Sequence, residues 1–255
     1  MKNRAAIVTG GLQGIGLAIA TELSRQGASV AIGARRGSDE NLASEVRKKI
    51  GNPCFVAALN VCEQASIDIF LSAAQEFQGK PDILVNAAGI TLHQTVDGHS
   101  DEDWDSVIDT NLTGPFRMIR SCISGMKARK WGRIVNIAST AARVGEANHP
   151  AYCASKAGLV GLTRAVAQEG APHGVTCVSI SPGWVETEMM RESAQTIAKQ
   201  THRDAEVIMA EMAASNPQNR LIQPEEIAGI VSYCCSDAAR GLTMEDIQVN
   251  AGALW

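Results

Sequence analysis

Short apolar runs alternate along this chain with longer stretches whose apolar residues recur every three or four positions. RAAIVTGG (4–11) is an apolar run closing on glycines and reads as a strand buried on both faces. GIGLAIATELSRQ (14–26) has helical period, and Gly27 is its stop. SVAIGA (29–34) is a second strand, and residues 38–50 form a helix capped by Ser38 or Asp39. CFVAALN (54–60), a helix over 63–77 and DILVNAAG (82–89) repeat the alternation. One long helix is expected from about Asp101 to Arg129, then the strand GRIVNIAS (132–139), a helix over 151–170 and the strand GVTCVSISPG (174–183). Residues 184–222 are polar, Met-rich and weakly patterned. A helix over 224–236 with Pro224 in its first turn and a last strand over 246–250 complete the series. Strands alternating with helices predict an α/β fold: a doubly wound parallel sheet with helices on both faces and right-handed crossovers. No linker, repeat or low-complexity segment interrupts it, so 1–255 reads as one domain.

Composition narrows the partners. The 255 residues are 45% hydrophobic but only 4% aromatic, with 23 glycines, which suits tightly packed layers of small aliphatic side chains. The formal charge is -4 and no basic stripe is present, which argues against a nucleic-acid partner. No apolar run approaches the ~20 residues that span a bilayer, and the N-terminus reaches glycines too early for a secretory core. A cytoplasmic protein is expected. Seven cysteines, an odd number without CxxC or zinc-site spacing, read as buried thiols in a reducing compartment, with no metal site. Cys153 is a candidate for adventitious oxidation only.

The first strand runs into Thr9-Gly10-Gly11-Leu12-Gln13-Gly14-Ile15-Gly16. Gly10, Gly14 and Gly16 suit a tight turn, close backbone approach to a pyrophosphate and close helix packing. The following helix N-terminus offers N–H groups and positive dipole to phosphate. The spacing is GxxxGxG rather than GxGxxG, and its place between first strand and first helix makes it a nucleotide site. The second strand ends Gly33-Ala34-Arg35-Arg36, with no carboxylate for ribose hydroxyls and two guanidiniums suited to a 2′-phosphate. NADP(H) is therefore expected to be preferred over NAD(H).

YCASK (152–156) places a phenol and an amine at i and i+4, on one helix face. An unperturbed phenol titrates near pH 10, and a nearby ammonium favours the phenolate. Lys156 is expected to lower the pKa of Tyr152, which then exchanges a proton with an alcohol oxygen. Ser139, at the carboxyl end of GRIVNIAS, is placed to hold that oxygen.

These stretches together resemble the short-chain dehydrogenase/reductase family. TGGLQGIG, NAAG (86–89), NLTG (111–114), IVNIAS, YCASK and SPGWVET (181–187) occur in the family's order and spacing over almost the whole chain. The resemblance implies a Rossmann-like fold and ketone–alcohol interconversion by hydride transfer. By that resemblance Tyr152 is the acid/base, Lys156 tunes it and binds the nicotinamide ribose, Ser139 orients the substrate oxygen, and Asn111 positions a water in the proton relay. Leu12, Gln13 and Ile15 join the glycines of the cofactor loop. Asn60 and Val61 flank the adenine, and Asn86, Ala87 and Gly89 lie beside the cofactor. Pro182, Gly183, Val185 and Thr187 hold the nicotinamide carboxamide. The family also implies a homotetramer, with the helices near 101–129 and 151–170 in one interface. Several positions depart from the pattern. Ala87 replaces a second Asn, Asn60 an Asp, VNAG (249–252) a VDGG, and Met244 a glycine.

The chain is most similar in pattern to 3-oxoacyl thioester reductases, with a small carbonyl or alcohol or a coenzyme-A thioester as substrate. A dehydrogenase of cyclic alcohols, sugars or steroids, and a silent cofactor-binding regulator, are the alternatives. The expected substrate walls are 90–100, 140–149 and 184–222, the last as a lid. Met189, Met190, Met209 and Met212 either line it or pack its helices. His93 and His149 read as substrate contacts or, more simply, as solvated loop residues. Arg129 and Lys130 are candidates for a basic entrance, and His173 stands where a further cation would serve a carrier protein.

Overall fold

The computed structural model describes residues 1–253. Its strands are β1 (Ala5–Thr9), β2 (Ser29–Ala34), β3 (Cys54–Ala58), β4 (Ile83–Asn86), β5 (Gly132–Ile137), β6 (Val175–Pro182) and β7 (Asp246–Val249). All pair in parallel, in the order β3-β2-β1-β4-β5-β6-β7. The order reverses between β1 and β4, where α/β sheets open a crevice beyond the strands' carboxyl ends.

Period-two alternation sorts β1 between two layers. Ala6 and Val8 pack with α1 (Gly14–Arg25), α2 (Glu40–Ile50) and α9 (Pro224–Cys235). Ile7 points the other way, into a layer built with α3 (Gln64–Gln78), with α5 (Gly114–Arg129) and with the C-terminal half of α6 (Pro150–Gly170). Fully buried strands such as β1 and β6 explain why these segments read as continuous apolar runs.

The single helix expected over 101–129 is divided. α4 (Asp101–Ile108) runs into a π turn at Asp109–Thr113 before α5 begins. The cause is Pro115, in the first turn of α5. A proline has no N–H for the carbonyl four residues back, which is that of Asn111, and its ring crowds that oxygen. Gly114 also has a reason: a Cβ there would lie 2.7 Å from Val61.

Residues 184–222, weakly patterned in the sequence, hold α7 (Glu188–Thr201) and α8 (Ala205–Ala214). Met190, Ala194, Ala198, Ile208 and Met212 form a small core between them. Of the four methionines there, Met190 and Met212 pack the two helices, while Met189 and Met190 also line the neighbouring cleft.

Candidate active site

Two contiguous hollows open at the carboxyl ends of the strands. The first is a groove of about 420 Å³ beside the glycine loop. Gly10, Leu12, Gln13, Gly14, Ile15 and Gly16 line it, with Arg35, Arg36, Asn60, Val61, Ala87, Gly89 and Thr187. The second is a cleft of about 390 Å³ lined by Ser139, Tyr152, Lys156, Pro182, Gly183 and Val185, among others. Ile15, Ala87, Gly89, Thr187 and Met189 belong to both.

The groove suits a dinucleotide on its own geometry. Gly10 has φ +68°, and a Cβ on it would come within 2.8 Å of the Ala88 backbone. A Cβ on Gly16 would lie 2.4 Å from the Gly10 carbonyl oxygen, so α1 can start this close to β1 only with glycine there. The N-cap residue Gln13 makes no side-chain capping bond, which leaves the first-turn N–H groups for an anion. At the far end Arg36 pairs with Asp39 at 3.2 Å, while exposed Arg35 has no carboxylate partner among the described residues. Asn60 spends its side chain on its own turn, accepting from the Cys62 N–H and donating to Glu63. Cys62, Ser106, Thr110 and Glu188 also face the groove. They carry no recognisable spacing, and only the fold brings them there.

Asn86 lies elsewhere. It is buried at the end of β4, borders neither hollow, and donates to Asn136 Oδ1 at 2.8 Å. Asn136 in turn donates to Thr163. This asparagine ties β4 to β5 and, through Asn136, to α6. Thr9 works alongside it, accepting from the N–H groups of Ala87 and Ala88 at 3.1 Å each.

Ser139 follows β5 and caps the short turn Thr140–Ala142, its Oγ accepting from Ala141 N at 3.1 Å. Its own O–H is left to donate. Asn111 is fully buried. Its Oδ1 accepts from Ile90 N at 2.9 Å, and its Nδ2 donates to Ile90 O and to Ser155 Oγ. The side chain is thus consumed in fastening the segment after β4 to α6, and Pro115 has no N–H to offer the Asn111 carbonyl.

Tyr152 and Lys156 do share a face of α6, but burial decides their acidity. Burial pushes the phenol up to about 12, with a hydrogen bond from Ser139 pulling the other way and Glu146 adding to the rise. The same cause lowers Lys156 to about 8. Lys156 Nζ donates to Ile137 O at 2.8 Å and sits 5.5 Å from the Tyr152 ring centre. In the protein without its cofactor, loss of water around the phenol is thus the largest influence on Tyr152, and Lys156 is not among the groups that shift it.

Two further expectations change. His149 is not a solvated loop residue: it is 6% exposed and lines the cleft. Arg129 and Lys130 end α5 next to β5's first residue, at the amino end of the strand whose carboxyl end leads to Ser139, and Arg129 is engaged by Asp82 and Pro81. They give this chain's cleft no basic entrance.

Phosphate-seeking backbone at one end of a continuous hollow, and proton-transfer groups at the other, define a dinucleotide-dependent oxidoreductase. The chain belongs to the short-chain dehydrogenase family, whose model matches residues 4–198. It is 40% identical to a monensin polyketide synthase putative ketoacyl reductase of Streptomyces virginiae, over 98% of this chain and 97% of that one. It is 36% identical to the acetoacetyl-CoA reductase of Cupriavidus necator, over 99% and 98%. Among solved structures it is similar to a variant of the actinorhodin polyketide ketoreductase with NADPH, at TM-score 0.94 and 34% identity, covering 98% of this chain and 97% of that one.

Proposed function

We propose that this protein reduces the ketone of a 3-oxoacyl thioester to a secondary alcohol, with NADPH preferred over NADH. The observation that carries the chemistry is the meeting of Ser139, Tyr152 and Lys156 in one cleft continuous with the glycine-loop groove. The bound dinucleotide supplies the hydride. The Tyr152 O–H gives its proton to the carbonyl oxygen, and Ser139 donates a hydrogen bond to that oxygen as charge gathers there. Lys156 holds a positive charge beneath the phenol and binds the nicotinamide ribose. The backbone carbonyl of Asn111 holds a water that resupplies the proton. A phenol pushed up to about 12 is protonated at neutral pH, the form that reduction requires.

The thioester reading is supported by the named activities of the relatives and by a cleft large enough for a short acyl chain. Arg35, without a carboxylate partner, supports the NADPH preference. Residues 184–222 act as the lid of a single folding unit. Half-exposed Trp104 and Phe116, on α4 and α5, support burial in a homotetramer. No helix among the described residues is long and apolar enough to cross a membrane, and a cytoplasmic location fits the free thiols.

Initial rates of acetoacetyl-CoA reduction, with NADPH and NADH side by side, test this reading. Fast turnover preferring NADPH is expected, and Tyr152→Phe is expected to lose at least a hundredfold of it, on the order of a lost general acid, with NADPH affinity kept. Turnover preferring NADH overturns the cofactor choice alone. Dinucleotide binding without turnover overturns the substrate class and moves the search to cyclic ketones, sugars and steroids.

A further inference from the structure

One wall of the cleft carries hydrogen-bonding capacity that the protein leaves unmet. His149 immediately precedes α6, borders the cleft and is almost wholly buried. Its ring lies edge-on to Tyr152, 6.3 Å between centres, and to His93 at 4.8 Å. Its Nδ1 sits 3.1 Å from the carbonyl oxygen of Ala147. A carbonyl oxygen only accepts, so Nδ1 carries the proton, and in neutral His149 the other nitrogen, Nε2, is a bare acceptor. No described protein group bonds to Nε2. Thr91, which lines the same cleft, has a buried hydroxyl without a partner, and so does Nδ1 of His93 behind it.

The rest of the reacting end has the opposite character. The Tyr152 phenol donates, and Ser139, whose oxygen already accepts from Ala141 N, has its own proton to give. His149 is also fixed in place: the Gln94 N–H reaches the Asn148 carbonyl at 2.7 Å and pins its loop to the segment carrying His93. An acceptor held in a buried wall discriminates by what it would lose, because a substrate without a matching donor leaves Nε2 dry and unpaired.

We propose that His149 is a specificity residue whose Nε2 accepts a hydrogen bond from an N–H or O–H carried a few bonds from the substrate carbonyl. This rests on the carbonyl-reduction reading above. In a thioester the donor is the first amide N–H of a pantetheine-type arm; in a hydroxyketone it is the neighbouring hydroxyl.

Two substrate pairs separate these sources. The first pair is acetoacetyl-N-acetylcysteamine and the acetoacetyl S-butyl thioester, which differ in the amide. The second is acetoin and 2-butanone, which differ in the hydroxyl. Wild-type enzyme is expected to favour the donor-bearing member of at least one pair by about tenfold in kcat/KM, the scale of one buried hydrogen bond. Three variants divide the roles of the ring. His149→Phe removes both nitrogens, His149→Asn keeps a donor near Nδ1, and His149→Gln places an amide oxygen near Nε2. The preference should vanish in the Phe and Asn variants and survive in Gln. A structural role alone would leave the preference untouched in all three variants, which overturns the proposal. Turnover of both thioesters without preference, together with none between the ketones, overturns it while sparing the thioester reading. Preference within the ketone pair, with neither thioester reduced, overturns the thioester reading and supports His149. A protein that reduces none of the four overturns both.

Discussion

The Lys156 ammonium lies 5.5 Å from the centre of the Tyr152 ring and donates to the carbonyl of Ile137 at 2.8 Å. Burial drives both groups towards neutrality, the phenol up to about 12 and the amine down to about 8. As pH rises from neutrality, Lys156 is therefore the first of the two to lose its proton. If catalysis needs a cationic Lys156 under a protonated Tyr152, kcat for reduction falls as pH passes about 8. A pH–rate profile at saturating substrate checks this. A rate that holds steady up to about pH 10, the ordinary lysine and tyrosine range, would mean either that the amine's charge plays no part or that Lys156 keeps its proton in the complex with cofactor.

The same burial has a consequence for stability. A lysine titrating near 10.4 when unfolded and at about 8 when folded binds more protons in the unfolded state between those values. Its stabilising neutral form is fully present above the unfolded value and is lost as pH falls through about 8. At neutral pH the charged side chain thus opposes folding, by up to ~3 kcal/mol from the size of the shift. Lys156→Met is expected to raise stability by ~1–3 kcal/mol at pH 7 while activity collapses. Urea denaturation of the two proteins measures it, and a less stable Met variant would mean that the bond to Ile137 outweighs desolvation.

Arg35 and Arg36 are adjacent in sequence but differently engaged. Arg36 shares Asp39 with the N-terminus of α2, whereas Arg35 faces the groove without an acidic partner. Arg35→Ala is expected to raise the Kd for NADPH roughly tenfold to a hundredfold, the scale of a charged phosphate contact, and to leave NADH unchanged. Titration of each dinucleotide by fluorescence decides it. Equal losses for both would place Arg35 on a part of the nucleotide that the two share.

Much of this was readable beforehand because local and tertiary preferences agree. β2 runs over Ser29–Ala34, the apolar run itself, and α1 ends just before Gly27 at φ +89°. What escaped depends on contacts between distant segments. The π turn needed Pro115 to be read against the carbonyl of Asn111 within an otherwise continuous helical pattern. Asn86 occupies a motif position yet turns into the interior, because its partner Asn136 comes from a strand fifty residues on. The acidity of Tyr152 followed burial, which spacing on a helix does not reveal. His149 is buried by its packing on His93 and Tyr152, and nothing in its neighbours along the chain announces that.

Met244 shows a departure from the family pattern with a measurable cost. It stands where a glycine is usual and adopts φ +69°, a left-handed conformation that disfavours any side chain with a Cβ. It is held there because its N–H bonds to the carbonyl of Cys177 at 2.8 Å, which fastens the approach to β7 onto β6. Its side chain is 38% exposed, so removing it forfeits little burial. Relief of the left-handed strain is worth ~1–2 kcal/mol, and the freer unfolded chain of a glycine variant returns ~0.4–1 kcal/mol. Met244→Gly should therefore gain ~0.5–1 kcal/mol of stability. Met244→Val, whose branched Cβ tolerates this conformation least, should lose stability instead. Thermal denaturation of the three proteins gives the order Gly, Met, Val from most to least stable. Any order that puts Val above Gly would mean that side-chain contacts, rather than backbone conformation, govern this corner of the sheet.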